Sequence, residues 1–178
     1  MRVFVSVSLP TEVKDELYMI QGLISPSLAK IKWVPKKNIH LTLKFLGEVD
    51  NIDDIHKKLS KVEFNSFYLK LMEFEMLPKG KYTNKPYVAR LWINIKPFEN
   101  IIKLQQGVDA ELFSGYQKFS PHITLGRVKM IKKNKEFLDV VKKIKIKPIE
   151  FKINSFQLMQ SKLSKDGSKY IVLKKYKS

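Results

Sequence analysis

The stretch Asn38-Ile39-His40-Leu41-Thr42-Leu43-Lys44-Phe45-Leu46-Gly47 decides the fold, because it returns in altered form as Ser120-Pro121-His122-Ile123-Thr124-Leu125-Gly126-Arg127. Both copies alternate apolar and polar residues, and a period of two predicts a β-strand. Residues i and i+2 of a strand share a face. His40, Thr42 and Lys44 are therefore expected on one face, with Ile39, Leu41, Leu43 and Phe45 turned to a core. His122 and Thr124 share a face in the same way, opposite Ile123 and Leu125. One copy lies in each half of the chain. Two such strands facing across a cleft would form a polar box of two imidazoles and two hydroxyls.

Working outward, Val3, Val5 and Val7 alternate with Phe4, Ser6 and Ser8 and predict a first strand, stopped by Pro10. Thr11 is expected to cap a helix that runs to about residue 24, with Leu17, Ile20, Leu23 and Ile24 on its apolar side. Residues 51–61 read as a second helix, and 66–77 and 87–95 as strands around the turn-rich segment 77–86. Residues 98–113 and 134–145 read as helices, and 121–128 as the second motif strand. Residues 149–161 and 170–176 read as a closing hairpin with Asp166-Gly167 at its turn. Strands outnumber helices and several neighbours are hairpin-linked, which points to an α+β fold with antiparallel sheet.

Composition narrows the chemistry. The chain has 178 residues, 44% of them hydrophobic, and a net charge of +17, so it is a folded domain rather than a basic tail. It has no cysteine, which excludes disulfides, thiol catalysis and cysteine-ligated metal. The charge favours a polyanionic partner, with nucleic acid ahead of an anionic membrane; a solvated lysine surface is the plainer reading. Only Arg2, Arg90 and Arg127 are arginine among 34 cationic side chains, so an arginine beside a candidate site stands out. No apolar run is long enough for a membrane span or a signal segment. The expectation is a cytoplasmic monomer that does not engage membranes.

The polar box suits phosphodiester cleavage. One group must take a proton from the attacking oxygen and another must give one to the departing oxygen. Histidine, with an ordinary pKa near ~6.5, serves either role. Threonine hydroxyls can hold non-bridging phosphate oxygens. No metal or other cofactor is expected, since the histidines lack a matching carboxylate or cysteine cluster. His56, in the charged run Asp53-Asp54-Ile55-His56-Lys57-Lys58, reads as a solvated helix residue. Asp50, Asp53 and Asp54 read as helix-start residues rather than a cation site. Lys44 shares the expected His40 face and is a candidate phosphate ligand, or one surface lysine among many. Arg127 reaches the His122 face only if the strand bulges near Gly126. Arg90 sits in a strand as an edge or paired surface residue.

The segments His40–Gly47 (HLTLKFLG) and His122–Arg127 (HITLGR) resemble the paired HxTx motifs of the two-histidine phosphoesterase superfamily. Within it the chain resembles the RNA 2′,3′-cyclic phosphodiesterases, also called 2′-5′ RNA ligases. The opening RVFVSVSLP and the closing Ser161, Leu163, Gly167 and Tyr170 extend the resemblance over nearly the whole chain. Arg90 stands only two residues before Trp92, closer than in many relatives.

The resemblance implies one two-lobed domain over residues 1–178, with a motif in each lobe at 40–43 and 122–125. Its two pseudo-symmetric, mainly antiparallel sheets would carry helices outside and a central cleft between them. It further implies hydrolysis of RNA 2′,3′-cyclic phosphate ends, or of cyclic nucleotides, to 2′-phosphomonoesters. RNA of this kind includes tRNA fragments. His122 would be the proton acceptor and His40 the proton donor, with Thr42, Thr124, Arg127 and Lys44 binding substrate. Reversal would join a cyclic end to a 5′-hydroxyl in a 2′-5′ bond. The alternative from a different class is a non-catalytic RNA- or nucleotide-binding module on the same scaffold.

Overall fold

The computed structural model describes residues 1–77, 89–112, 119–165 and 167–178. In chain order these form β1 (Arg2–Ser8), α1 (Thr11–Gly22), β2 (Ala29–Trp33), a 3-10 turn (Lys36–Asn38), β3 (His40–Glu48), α2 (Ile52–Leu59) and β4 (Phe67–Leu77). There follow β5 (Arg90–Lys96), α3 (Glu99–Leu112), β6 (His122–Ile131), α4 (Asn134–Lys143), β7 (Glu150–Ile153), β8 (Ser155–Ser164) and β9 (Gly167–Lys177). The expected α+β class and antiparallel pairing are present. The start of the expected 87–95 strand, residue 113 of the expected third helix, most of the 77–86 turn segment and Asp166 lie outside the described residues. Gly167 has φ +115°, the left-handed conformation a tight hairpin turn asks of glycine.

The expectation of two sheets needs correction. The described strands make one nine-stranded sheet, ordered β7-β4-β5-β6-β3-β1-β8-β9, with β2 added to β6. Its two sides meet where the motif strands pair, at Leu41 opposite Ile123. Each motif strand has a ladder side available at this point, and pairing there satisfies backbone groups that two separate sheets would leave open.

The run expected as one strand over 149–161 divides at Asn154. β7 pairs with β4, whereas β8 pairs with β1 and β9. Ile153 and Ser155 thus belong to strands with five others between them. In a flat sheet, at ~4.8 Å per strand, those strands would lie about 29 Å apart. A single residue cannot span that, so the sheet must curl until its margins approach.

The helices cover the outside of this sheet. α1 buries Val13, Leu17 and Ile20, and α3 buries Ile101, Leu104 and Val108, each at the three-to-four residue spacing of an amphipathic helix. Behind the motif strands, Leu41, Leu43, Ile123 and Leu125 are all buried. Thr11 does not cap α1. The helix starts at Thr11 itself, so Pro10 takes the cap position and makes no side-chain bond. Asn51 does cap α2, accepting from the Asp54 amide at 3.0 Å, with Asp53 and Asp54 in the first turn. β2 was not expected from the sequence, although Ala29-Lys30-Ile31-Lys32-Trp33 does alternate.

Candidate active site

Each motif strand carries a bulge, and the bulges decide which side chains reach the site. On β3, Thr42 pairs with Ser6 and Lys44 with Val5, which leaves Leu43 as an extra residue. On β6, Thr124 pairs with Trp92 and Gly126 with Leu91, which leaves Leu125 as an extra residue. An extra residue reverses the facing of everything after it. The two stretches 40–45 and 122–127 consequently share one burial pattern, in which the sixth residue, Phe45 or Arg127, is exposed.

For Arg127 the bulge meets the condition set by the sequence. The arginine turns out beside His122 and Thr124, and all three line one cavity. For Lys44 the same device has the opposite result. The expected placement on the His40 face is incorrect, because Leu43 turns Lys44 inward against α3. There its side chain is 3% exposed and its Nζ lies 2.5 Å from Asp109 Oδ1. Phe45 takes the outward position instead. The β6 bulge is tied from behind by buried Gln21 of α1. Its Nε2 donates to the carbonyls of Leu125, at 3.1 Å, and Val34, at 2.9 Å.

Gly126 is needed where it stands. A Cβ there would lie 2.7 Å from Trp33 Cε3 and 3.0 Å from Ile31 Cγ2. The Trp33 ring can close over β6 only because that Cβ is missing.

His40, Thr42, His122, Thr124 and Arg127 all line a cavity of about 310 Å³, with Trp33, Phe45 and Tyr170 among its other walls. An adjoining part of the cleft, about 290 Å³, adds Lys44, Arg90, Gln105, Phe119 and Ser120, so Lys44 borders the cleft although its side chain is buried and paired with Asp109. The histidines are held alike. Nδ1 of His40 donates to the carbonyl of Asn38 at 2.6 Å, and Nδ1 of His122 donates to the carbonyl of Ser120 at 2.7 Å. A carbonyl can only accept, so each Nδ1 carries a proton and each Nε2 is the nitrogen left for chemistry. In His40 that Nε2 lies 2.9 Å from Thr42 Oγ1.

Each imidazole also leans on an aromatic ring. Tyr170 stands edge-on to His40 at 5.4 Å between centroids, and Trp92 lies 4.3 Å from His122. Asn38, whose carbonyl orients His40, is itself fixed by donating from Nδ2 to the carbonyl of Ser168 at 2.8 Å.

Both imidazoles titrate below the ordinary histidine value. Burial is the main cause for each. The carbonyl bonds from Asn38 and Ser120 oppose the shift, while the positive charges of Lys14, for His40, and Arg90, for His122, add to it. The free site therefore holds two neutral imidazoles at pH 7. A bound anionic phosphate would favour protonating one of them.

His56 departs from its expected solvated setting. It is half-buried against β9, with Nδ1 3.1 Å from the Tyr176 hydroxyl, whose pKa burial pushes up to about 12. Trp33, Phe45, Tyr170 and Asn38 were missed as site residues. The alternation in 29–33 was the available signal for Trp33. Tyr170 entered only as part of the closing resemblance; no spacing rule marks it as a wall of the cavity, which it reaches from the far end of the chain.

Comparison with known proteins agrees with this arrangement. The profile described as LigT like Phosphoesterase matches residues 7–87 and 93–170. An RNA 2′,3′-cyclic phosphodiesterase from Thermotoga maritima is 33% identical over 97% of this chain and 93% of its own. One from Methanocaldococcus jannaschii is 29% identical over 99% of this chain and 100% of its own. Among solved structures, TT0787 of Thermus thermophilus superposes with a TM-score of 0.77 at 27% identity, covering 99% of this chain and 97% of that one. The LigT of E. coli shares the fold at a TM-score of 0.72 and 22% identity, covering 99% of this chain and 96% of that one. With paired HxTx strands, two matched imidazoles and a full-length match, the chain belongs to the LigT-like phosphoesterases of the two-histidine superfamily, in the RNA 2′,3′-cyclic phosphodiesterase family.

Proposed function

We propose that the protein hydrolyses 2′,3′-cyclic phosphate ends of RNA to 2′-phosphomonoesters without a metal ion. The carrying observation is the matched pair of Nδ1–H bonds to the carbonyls two residues upstream, which leaves both Nε2 atoms for the same cavity. The naming of full-length relatives as RNA 2′,3′-cyclic phosphodiesterases supports the substrate.

Each motif strand, with its neighbours, serves as one lobe of a single domain, and the cleft between the lobes receives the RNA end. His122 Nε2 accepts a proton from water as the water oxygen attacks phosphorus. The bond from phosphorus to O3′ breaks, and protonated His40 gives its Nε2 proton to that oxygen. Thr42, Thr124 and Arg127 hold the non-bridging oxygens, where charge gathers in the transition state. Thr42 also bonds His40 Nε2 and so keeps it aligned before the proton moves. The two imidazoles have closely similar surroundings, so the order of their roles follows the family resemblance. With a 5′-hydroxyl in place of water, the same forward steps form a 2′-5′ linkage: His122 accepts the hydroxyl proton, the bond from phosphorus to O3′ breaks and His40 protonates O3′; the reverse regenerates the cyclic end.

The test is incubation with RNA ending in a 2′,3′-cyclic phosphate, in excess EDTA, followed by identification of the product end. A 2′-phosphomonoester is expected. A 3′-phosphomonoester would reverse the proposed regiochemistry, and loss of turnover on chelation would overturn the metal-free mechanism.

A further inference from the structure

Three cations stand abreast beside the histidines. Lys32 on β2 pairs directly with Arg127 on β6, and Arg127 pairs on its other side with Arg90 on β5. Like charges directly opposite each other in a sheet are destabilising. None of the ion pairs among the described residues neutralises this row. A fold that accepts such repulsion at its cleft has a place there for negative charge.

The row also has a direction. Lys30 lies two residues before Lys32, and Lys129 two after Arg127, all four exposed. Lys32 and Lys129 line the histidine cavity and also a second, wider opening of about 680 Å³, where Lys30 and Met130 join them. The two openings are thus one lane that leaves the site along the β2–β6 ladder. On β2, Lys30 and Lys32 have the regular alternate spacing of ~6.6–6.8 Å, which suits successive phosphates of one extended strand. On β6, Lys129 is the extra residue of a bulge between Val128, paired with Ile31, and Met130, paired with Lys30. Met130, 52% exposed among these lysines, offers apolar surface to a base. A mononucleotide seated at the histidines would not need Lys30 or Met130, which lie only in the second opening.

We propose that this lane holds the single-stranded RNA leading to the cyclic end. Lys32, Lys129 and Lys30 meet the phosphates upstream of the reacting one, and Met130 carries a base. The proposal rests on the RNA-end hydrolysis argued above. It locates length recognition on the β2–β6 ladder, apart from the general positive field.

The test measures kcat/KM for a 2′,3′-cyclic mononucleotide and for a short oligoribonucleotide with the same cyclic end. Wild-type protein is compared with Lys30→Gln/Lys129→Gln and with a control of equal charge loss, Lys142→Gln/Lys143→Gln at the end of α4. The lane variant should lower the ratio of oligonucleotide to mononucleotide kcat/KM several-fold. It should also flatten the salt dependence for the oligonucleotide, by about 0.7 in log–log slope for each phosphate that no longer meets a lysine. The control pair should change neither. An unchanged ratio in the lane variant, or an equal fall in the control, would overturn the lane and leave the hydrolase reading standing. Wild-type inactivity on both substrates would overturn the hydrolase reading itself.

Discussion

Lys44 and Gly126 occupy equivalent positions, each the second residue after its motif threonine and each turned inward by a bulge at the preceding leucine. One slot is filled by a buried ion pair with Asp109, the other by the ring of Trp33. The pair separates what the duplicated motif shares, the outward histidine and threonine, from what each strand has adapted to its own neighbours.

Lys44→Met should therefore act on stability rather than on phosphate binding. Breaking a buried pair typically costs about 3–5 kcal/mol, and the loss here is expected below that, because Asp109 is partly exposed and still accepts from Gln105 Nε2 at 2.6 Å. Chemical denaturation should show the loss, and the double variant Lys44→Met/Asp109→Leu should recover part of it. A large rise in KM with stability intact would show instead that Lys44 meets substrate.

Gly126→Ala should displace the Trp33 ring. Overpacking of this kind costs about 1–3 kcal/mol. Because Trp33 walls the cavity, kcat/KM should fall along with the melting temperature. A variant with native activity and stability would show that β6 yields freely at this point.

The two histidines should each be indispensable. Loss of one positioned acid or base typically costs ~10²–10⁴ in rate. His40→Ala and His122→Ala should show this in kcat while stability stays near wild type. Rates near wild type in both would make the polar box structural.

The pH profile should carry the mark of burial. Turnover needs one imidazole neutral and the other protonated, and both titrate below the ordinary value. The bell in kcat/KM, which reports the free enzyme, should therefore have its maximum on the acid side of ~6.5. Arg90→Gln removes a charge that lowers the His122 pKa, so the limb belonging to His122 should move to higher pH. The same depressed values make the folded protein bind fewer protons than the unfolded chain. Stability should be complete above ~6.5 and be lost as pH falls through the folded values. Denaturation midpoints across that range, in wild type and in a variant with both histidines replaced, would read it. A maximum well above neutrality would contradict the burial of the site.

The motif strands and both histidine–threonine pairs were legible in the sequence, because period-two alternation and a shared residue pattern are local signals. Bulges are not, since the count of residues on one strand is meaningful only against its partner. Simple pleating consequently missed the inward turn that pairs Lys44 with Asp109 at the border of the cleft, and left Arg127 conditional on a bulge. Asn154 was hidden for a similar reason. The runs on either side of it are both strand-like, and only the identity of their partners, β4 and β1, shows that the chain changes margins there. Tyr170 and Trp33 come to the site by strand pairing over long sequence distances, which no spacing rule encodes.

Because Asn154 passes the chain from the β7 margin to β8, next to the opposite margin, the two sides of the molecule are interleaved along the sequence. β1 and β3 from the beginning lie with β8 and β9 from the end, while early β2 crosses to late β6. A cut anywhere between Thr42 and His122 would take β1 from β8 and β2 from β6. Neither fragment would own a complete hydrogen-bonded side, although each would keep one motif. Two such pieces would regain a working site only by reassembling on one another. Repetition in this protein therefore does not mean separable modules, and the duplicated chemistry exists only where both halves are assembled together.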